Sequence, residues 1–211
     1  MAQYFVIHPA NPQPRLIRRA VEIIRRGGVI VYPTDSCYAL GCHVGDKAAM
    51  ERIRAIREVN AHHHFGLLCR DLAEAATYSR IDDRQFRLIK AATPGSYTFI
   101  LHATREVPRR LLHPRRKTIG VRIPAHRVAH ALLAELGEPL LSSTLILPGA
   151  DTPLNDGHEI RERLEHRVDL ILDAGSCGVI PTTVVDLTAE TPVITRRGRG
   201  SAELFGVAVG A

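Results

Sequence analysis

Short apolar runs alternate with stretches of helical periodicity along nearly the whole chain, the pattern of an α/β protein. Residues 5–8 read as a strand. Asn11-Pro12 then offers a cap and first turn for a helix, on which Leu16, Ala20, Ile23 and Ile24 recur until Gly27-Gly28 stops it. Residues 29–32 form a β-branched run between Gly28 and Pro33, followed by the polar turn Pro33-Thr34-Asp35-Ser36 and a second apolar segment, 38–40, closing on Gly41. Asp46 caps a helix through about Arg57, with Ala49, Ile53 and Ile56 inward. Residues 65–69 read as a strand and 82–92 as a helix packing Phe86 and Ile89, broken by Thr93-Pro94-Gly95. Strands follow at 97–102 and 119–123, then a helix carrying Val128, Ala129, Leu132, Leu133 and Leu136. Residues 139–143 and 168–172 are strands separated by a helix near 159–164, and 183–187 with 192–195 suggest a closing hairpin.

No fixed-period repeat and no low-complexity linker divides the chain, so one domain over residues 1–200 is expected, with 201–211 as a loosely held tail. The 211 residues suffice for a sizeable core, and 45% hydrophobic with 24% charged residues is globular composition. No apolar run approaches the ~20 residues of a membrane span. The N-terminus lacks the basic and apolar regions of a secretory signal, so a cytoplasmic protein without membrane association is expected. Cys37, Cys42, Cys69 and Cys177 show no paired metal spacing and read as free thiols, Cys37 and Cys42 on opposite sides of extended chain.

The formal charge of +6 favours an anionic partner such as a nucleotide, phosphate or RNA. The excess is concentrated between Arg105 and Arg127, where Arg109, Arg110, Arg115, Arg116, Lys117 and Arg122 meet a single acid, Glu106. With no Trp, five Phe and five Tyr, there is little from which to build a base-stacking platform, so RNA contacts would rest on phosphates and shape. The polar turn at Thr34–Ser36 falls between two apolar strands, where α/β proteins tend to bind ligands. Gly95 allows close backbone approach and Thr98 supplies a hydroxyl at a strand start. Arg122 lies among apolar neighbours, so its charge calls for a carboxylate or an anionic ligand. Thr182 offers a hydroxyl at the head of another strand. His62-His63-His64 point in different directions and are expected to form a solvated, pH-sensitive loop near the ligand rather than a zinc site.

The segment from Pro33 to Gly41 resembles the Pro-Thr-Asp-Thr-x-Tyr-Gly-Leu-Gly signature of the YrdC/YciO family, with Ser36 and Ala39 as departures. Pro94-Gly95 with Thr98, Val121-Arg122-Ile123-Pro124, Asp173-Ala174-Gly175, Pro181-Thr182-Thr183-Val184-Val185-Asp186 and the Arg196/Gly198 pair resemble further family motifs in the same order. The resemblance runs from about Arg15 to Gly198 and implies a single domain with a twisted, open, mixed β-sheet flanked by helices. It also implies chemistry like that of L-threonylcarbamoyladenylate synthases. These join L-threonine, bicarbonate and ATP, accompanied by Mg2+, into threonylcarbamoyl-AMP and pyrophosphate for tRNA modification. Carried onto this chain, Arg57 and Ser143 take the catalytic places, and Arg57, Arg122, Ser143, Thr182 and Arg196 hold ATP or an acyl-adenylate. Thr34, Ser36, Tyr38 and Thr98 would hold the threonine.

Two departures follow the YciO branch of the family. Arg57 stands where synthases carry a lysine, Val59 replaces the arginine of the same motif, and Asn60 its proline. In the Ser-x-Asn motif Ser143 is kept and Leu145 replaces the amide. Losing a cation weakens charge stabilisation on departing pyrophosphate, and leucine cannot hydrogen-bond a nucleotide. Two readings therefore stand. One is a synthase-like, adenylate-handling enzyme of reduced or altered activity, which the motifs favour. The other is a double-stranded RNA or tRNA binder without synthase activity, using the basic stretch.

Overall fold

The computed structural model describes residues 1–60, 63 and 65–206. Among them are ten strands and six α-helices. In chain order these are β1 (Gln3–Val6), α1 (Pro14–Arg25), β2 (Ile30–Tyr32), β3 (Ala39–His43), α2 (Lys47–Arg57), β4 (Gly66–Leu68), α3 (Leu72–Tyr78), α4 (Asp83–Ala92) and β5 (Tyr97–His102). Then come β6 (Thr118–Arg122), α5 (Arg127–Leu136), β7 (Leu140–Thr144), α6 (Gly157–Leu164), β8 (Leu170–Asp173), β9 (Thr183–Asp186) and β10 (Val193–Arg196). One sheet contains every strand, in the order β1-β8-β2-β3-β7-β4-β6-β5-β9-β10, with both parallel and antiparallel ladders. The expected single-domain, open, mixed α/β architecture is what forms.

Local chemistry accounts for the element starts. Asp46 accepts from the Ala49 amide at 2.9 Å, and Asp82 and Gln85 form a reciprocal capping box at the head of α4. The strand 97–102 falls where the alternation of Tyr97, Phe99 and Leu101 places it. Four expectations need correction. The first helix starts two residues later than Asn11-Pro12 suggested, with Gln13 as N-cap and Pro14 in the first turn, because either proline can occupy that position. The first strand is Gln3–Val6, registered on β8 rather than on the apolar residues beyond it. Phe86 is 45% exposed, so Ile89 and Ala92 rather than Phe86 anchor α4. Residues 201–206, expected to hang loosely, pack instead: Phe205 lies edge-on to Tyr97 and Phe99, with centroids 5.6 and 6.1 Å apart. Residues 207–211 of that tail lie outside the described residues.

The helices are distributed unequally. On one face α2, α3, α4 and α6 pack a core through Ile53, Ile56, Ala75, Ile89 and Ile160. On the other, α1 and α5 cover Ile30, Tyr32, Leu140, Leu170 and Leu172. No α-helix of that second core lies over β6, β5 and β9, and a cavity occupies the face they leave.

Candidate functional site

The floor of the cavity is a register line across four strands. Ser142 on β7 stands opposite Gly66 on β4, Gly66 opposite Gly120 on β6, and Gly120 opposite Ile100 on β5. The central two lack side chains, so the peptide planes of Gly66 and Gly120 form a depression. A Cβ built on Gly66 would meet nothing nearer than the Gly120 carbonyl at 3.5 Å. The cavity measures about 380 Å³, within the range of small-ligand sites. The β4–β7 ladder ends at Gly66, and β7 runs past it to Thr144, which lets Arg57 at the end of α2 reach the opening.

Arg57 donates to Ser143 Oγ at 2.6 Å and to the Ile146 carbonyl at 3.4 Å. Its Nη1 also lies 2.9 Å from His63 Nε2. Since a guanidinium can only donate, His63 accepts there as the neutral ring. Across the cavity Arg196 donates twice to the Thr182 carbonyl, at 3.1 and 2.9 Å, and to Thr182 Oγ1 at 3.1 Å. Thr182 and Thr98 share a 2.8 Å hydroxyl–hydroxyl bond that joins the residue before β9 to β5. Among the described residues neither Arg57 nor Arg196 has a carboxylate partner, and no carboxylate lines the cavity. Burial lowers the affinity of both guanidiniums for their protons, and a neighbouring arginine adds to it, Arg196 beside Arg57 and Arg122 beside Arg196.

Arg122, nine-tenths buried, forms an ion pair with Asp35 at 2.7 Å and donates to Thr34 Oγ1 at 3.0 Å. Its Nε is buried without a hydrogen-bond partner among the described residues. The carboxylate question raised by the sequence is thus answered by Asp35, which also accepts from Ser96 Oγ at 2.6 Å and from the Ala125 amide at 3.1 Å. Burial pushes the Asp35 carboxyl upward, but Arg122 and these donors outweigh it and hold it below the usual carboxylate value.

Arg57, Thr98, Arg122, Ser143, Thr182 and Arg196 all line this one cavity. Thr34, Ser36 and Tyr38 do not line it. Thr34 and Ser36 are fully buried; Thr34 Oγ1 donates to the Cys37 carbonyl at 2.6 Å and accepts from the Ser36 amide at 3.2 Å, closing the turn that carries Asp35. The Tyr38 hydroxyl points away, donating to the Gly175 carbonyl at 2.8 Å and accepting from the Ala174 amide at 3.1 Å. Of the three adjacent histidines, His63 is at the site, whereas His62 and His64 lie outside the described residues. Sequence reasoning missed Gly66 and Gly120; it placed the histidine loop near the ligand, where His63 lies, and named Arg116 only within the basic stretch, whereas its guanidinium pairs with Asp186 at the cavity edge. The Gly-x-Arg spacing of Gly120 and Arg122 on one strand was the available signal, since alternate residues share a face.

The apolar residues of the two departures, Val59 and Leu145, fall outside the lining. Val59 follows α2, and Leu145 is fully buried in the core covered by α2, α3, α4 and α6. The Leu145 amide donates to the Tyr38 carbonyl at 3.0 Å and its carbonyl accepts from Leu154 at 3.1 Å.

Residues 22–198 match the family model Sua5/YciO/YrdC, described as "Telomere recombination". The chain is 58% identical over 205 residues to the uncharacterised protein YciO of Escherichia coli K12, covering 97% of this chain and all of that one. The YciO crystal structure superposes with a TM-score of 0.94. A threonylcarbamoyl-AMP synthase of Chromobacterium violaceum is 33% identical over 180 residues, covering 85% of this chain and 92% of the synthase. Sua5 of Pyrococcus abyssi, solved in complex with L-threonine, is 26% identical with a TM-score of 0.85, covering 92% of this chain and 57% of that one.

Proposed function

This chain belongs to the Sua5/YciO/YrdC family, and we propose that its cavity binds ATP or an acyl-adenylate and supports a slowed form of the threonylcarbamoyl-AMP synthase reaction. The observation that carries this reading is the Arg57/Arg196 pair: two guanidiniums in one cavity, held by hydroxyls and carbonyls, with no carboxylate to neutralise them among the described residues. Uncompensated cations around a small cavity favour an anionic ligand, and phosphate oxygens match guanidinium geometry.

In such a reaction the threonine amine attacks the carbon of bicarbonate, giving a carbamate and water. A carbamate oxygen then attacks the α-phosphorus of Mg-ATP, and the bond to pyrophosphate breaks. Arg57 and Arg196 would neutralise the phosphates, while the Ser143, Thr98 and Thr182 hydroxyls orient them; no nucleophile of the chain need take part. With no carboxylate among the described lining residues, magnesium would travel as part of the nucleotide substrate, held by phosphate oxygens and water. The missing second cation at Val59 is the reason for expecting slow synthesis. That a synthase relative and a threonine-bound Sua5 share the family supports threonine as the amine.

Duplex RNA is the weaker reading. Within the basic stretch Arg110, Arg116, Arg122 and Arg127 are engaged with the Gly45 carbonyl, Asp186, Asp35 and the Ala10 carbonyl, leaving fewer cations for a phosphate backbone. The deciding assay is pyrophosphate release that requires both threonine and bicarbonate, with the Chromobacterium synthase as positive control. Release slower than the control, and abolished by Arg57→Ala, is expected. No threonine-dependent release from the folded protein would refute the synthesis step.

A further inference from the structure

Far from the cavity, β1 forms one edge of the sheet and, among the described residues, pairs only with β8. The Gln3 amide donates to Asp169 and the Ile7 amide to Asp173, so the odd-numbered residues face β8. By alternation the amide and carbonyl groups of Tyr4 and Val6 face outward along the free edge. Val6 is 69% exposed.

Proteins usually blunt such edges with a proline, a bulge or a charge in the strand. The opposite edge does so: β10 carries a register shift between Ile194 and Arg196. β1, Gln-Tyr-Phe-Val, keeps unbroken register over four residues and has none of these devices. Its flank on the α1 side is cationic instead. On the α1 side, a groove of about 400 Å³ is lined by Gln3, Phe5, Arg15, Arg18 and Arg19, with one acid, Glu22, already paired to Arg19. Arg15 and Arg18 are exposed. On the α6 side, the Arg161 guanidinium sits 5.2 Å from the Tyr4 ring centroid but is paired with Glu165 at 3.6 Å, and the Tyr4 hydroxyl donates to Asp173, so that flank is not cationic.

We propose that the free edge of β1 accepts an extended acidic segment of a partner protein as an added strand. Main-chain hydrogen bonds to Tyr4 and Val6 give the affinity; carboxylates on alternate residues, all on the α1 face and meeting Arg15 and Arg18, give the selectivity. A second copy of this chain is a poor occupant, because pairing two such edges would bring the same arginines together.

The test uses the full chain with two seven-residue probes, one alternating valine and glutamate, the other valine and lysine. The glutamate peptide should shift the Tyr4 and Val6 amide resonances and bind about tenfold more weakly at 0.3 M than at 0.05 M salt. Val6→Pro removes an outward amide that the fold does not use and should abolish binding. Arg15→Glu with Arg18→Glu, both at exposed helix positions, should transfer the preference to the lysine peptide while thermal stability is kept. Equal binding of both peptides, no shift at Tyr4 and Val6, or self-association that Val6→Pro abolishes would overturn the proposal.

Discussion

Asp35 and Arg122 lock the polar turn after β2 to the end of β6, with 2.7 Å between Oδ1 and Nη2 and both side chains close to nine-tenths buried. The other Asp35 oxygen accepts from Ser96, which precedes β5. Three separate strands are thus tied at one carboxylate, and the arginine it holds is the most buried cation of the cavity.

Asp35→Ala leaves the Arg122 charge buried and unanswered, and should cost about 3–5 kcal/mol of folding stability, measured by urea unfolding. Nucleotide affinity should fall with it even though Asp35 itself does not line the cavity.

The pair also sets a pH dependence. Asp35 is depressed in the folded protein, so near pH 4 the unfolded chain binds the proton more readily than the native one. Its contribution is complete above the unfolded carboxylate value of about 3.9 and is lost as pH falls through the lower folded value. Urea midpoints should therefore drop below pH 4, and Asp35→Asn should flatten that part of the profile.

Removing either carboxylate-free guanidinium should affect binding more than folding. Arg57→Ala and Arg196→Ala should each weaken adenine nucleotide binding by about 10- to 100-fold, the range of a hydrogen bond to a charged group. Ser143→Ala, which deletes a hydroxyl already held by Arg57, should cost less.

Gly66→Ala tests the floor. The added methyl has ordinary clearance from the Gly120 carbonyl, so thermal stability should stay the same or rise slightly. The methyl projects into the depression, so nucleotide affinity should fall; unchanged affinity would place the ligand elsewhere.

Leu145→Asn, which restores the amide of the synthase pattern, should not restore synthesis. Leu145 is fully buried, and an amide there is left without the partners that its backbone already uses. A loss of about 3 kcal/mol is expected from burial forgone and a polar group unpaired.

Much of this was legible in the chain because it is written in local chemistry. Asp46 and Asp82 announce their helices, and the alternation from Tyr97 to Leu101 fixes β5. The short α3 escaped because seven residues carry too little periodicity, although Asp71 and Glu74, three apart, form its cap. At the site, arginines and hydroxyls at strand ends could be found by residue type. What could not be read was direction: Tyr38 turns its hydroxyl to the loop after β8, and Thr34 spends its own on the turn, because long-range packing decides where each points. The glycine floor needs register between strands distant in sequence, which no local pattern encodes.

The central claim is that an adenylate-type anion binds between Arg57 and Arg196, and calorimetric titration of the folded protein with ATP, AMP and L-threonine, alone and together, tests it most directly. The account predicts saturable nucleotide binding that Arg57→Ala and Arg196→Ala weaken, and tighter threonine binding once nucleotide is present. Heat-silent, non-saturable titrations with all three ligands, confirmed by unchanged thermal unfolding in their presence, would contradict it.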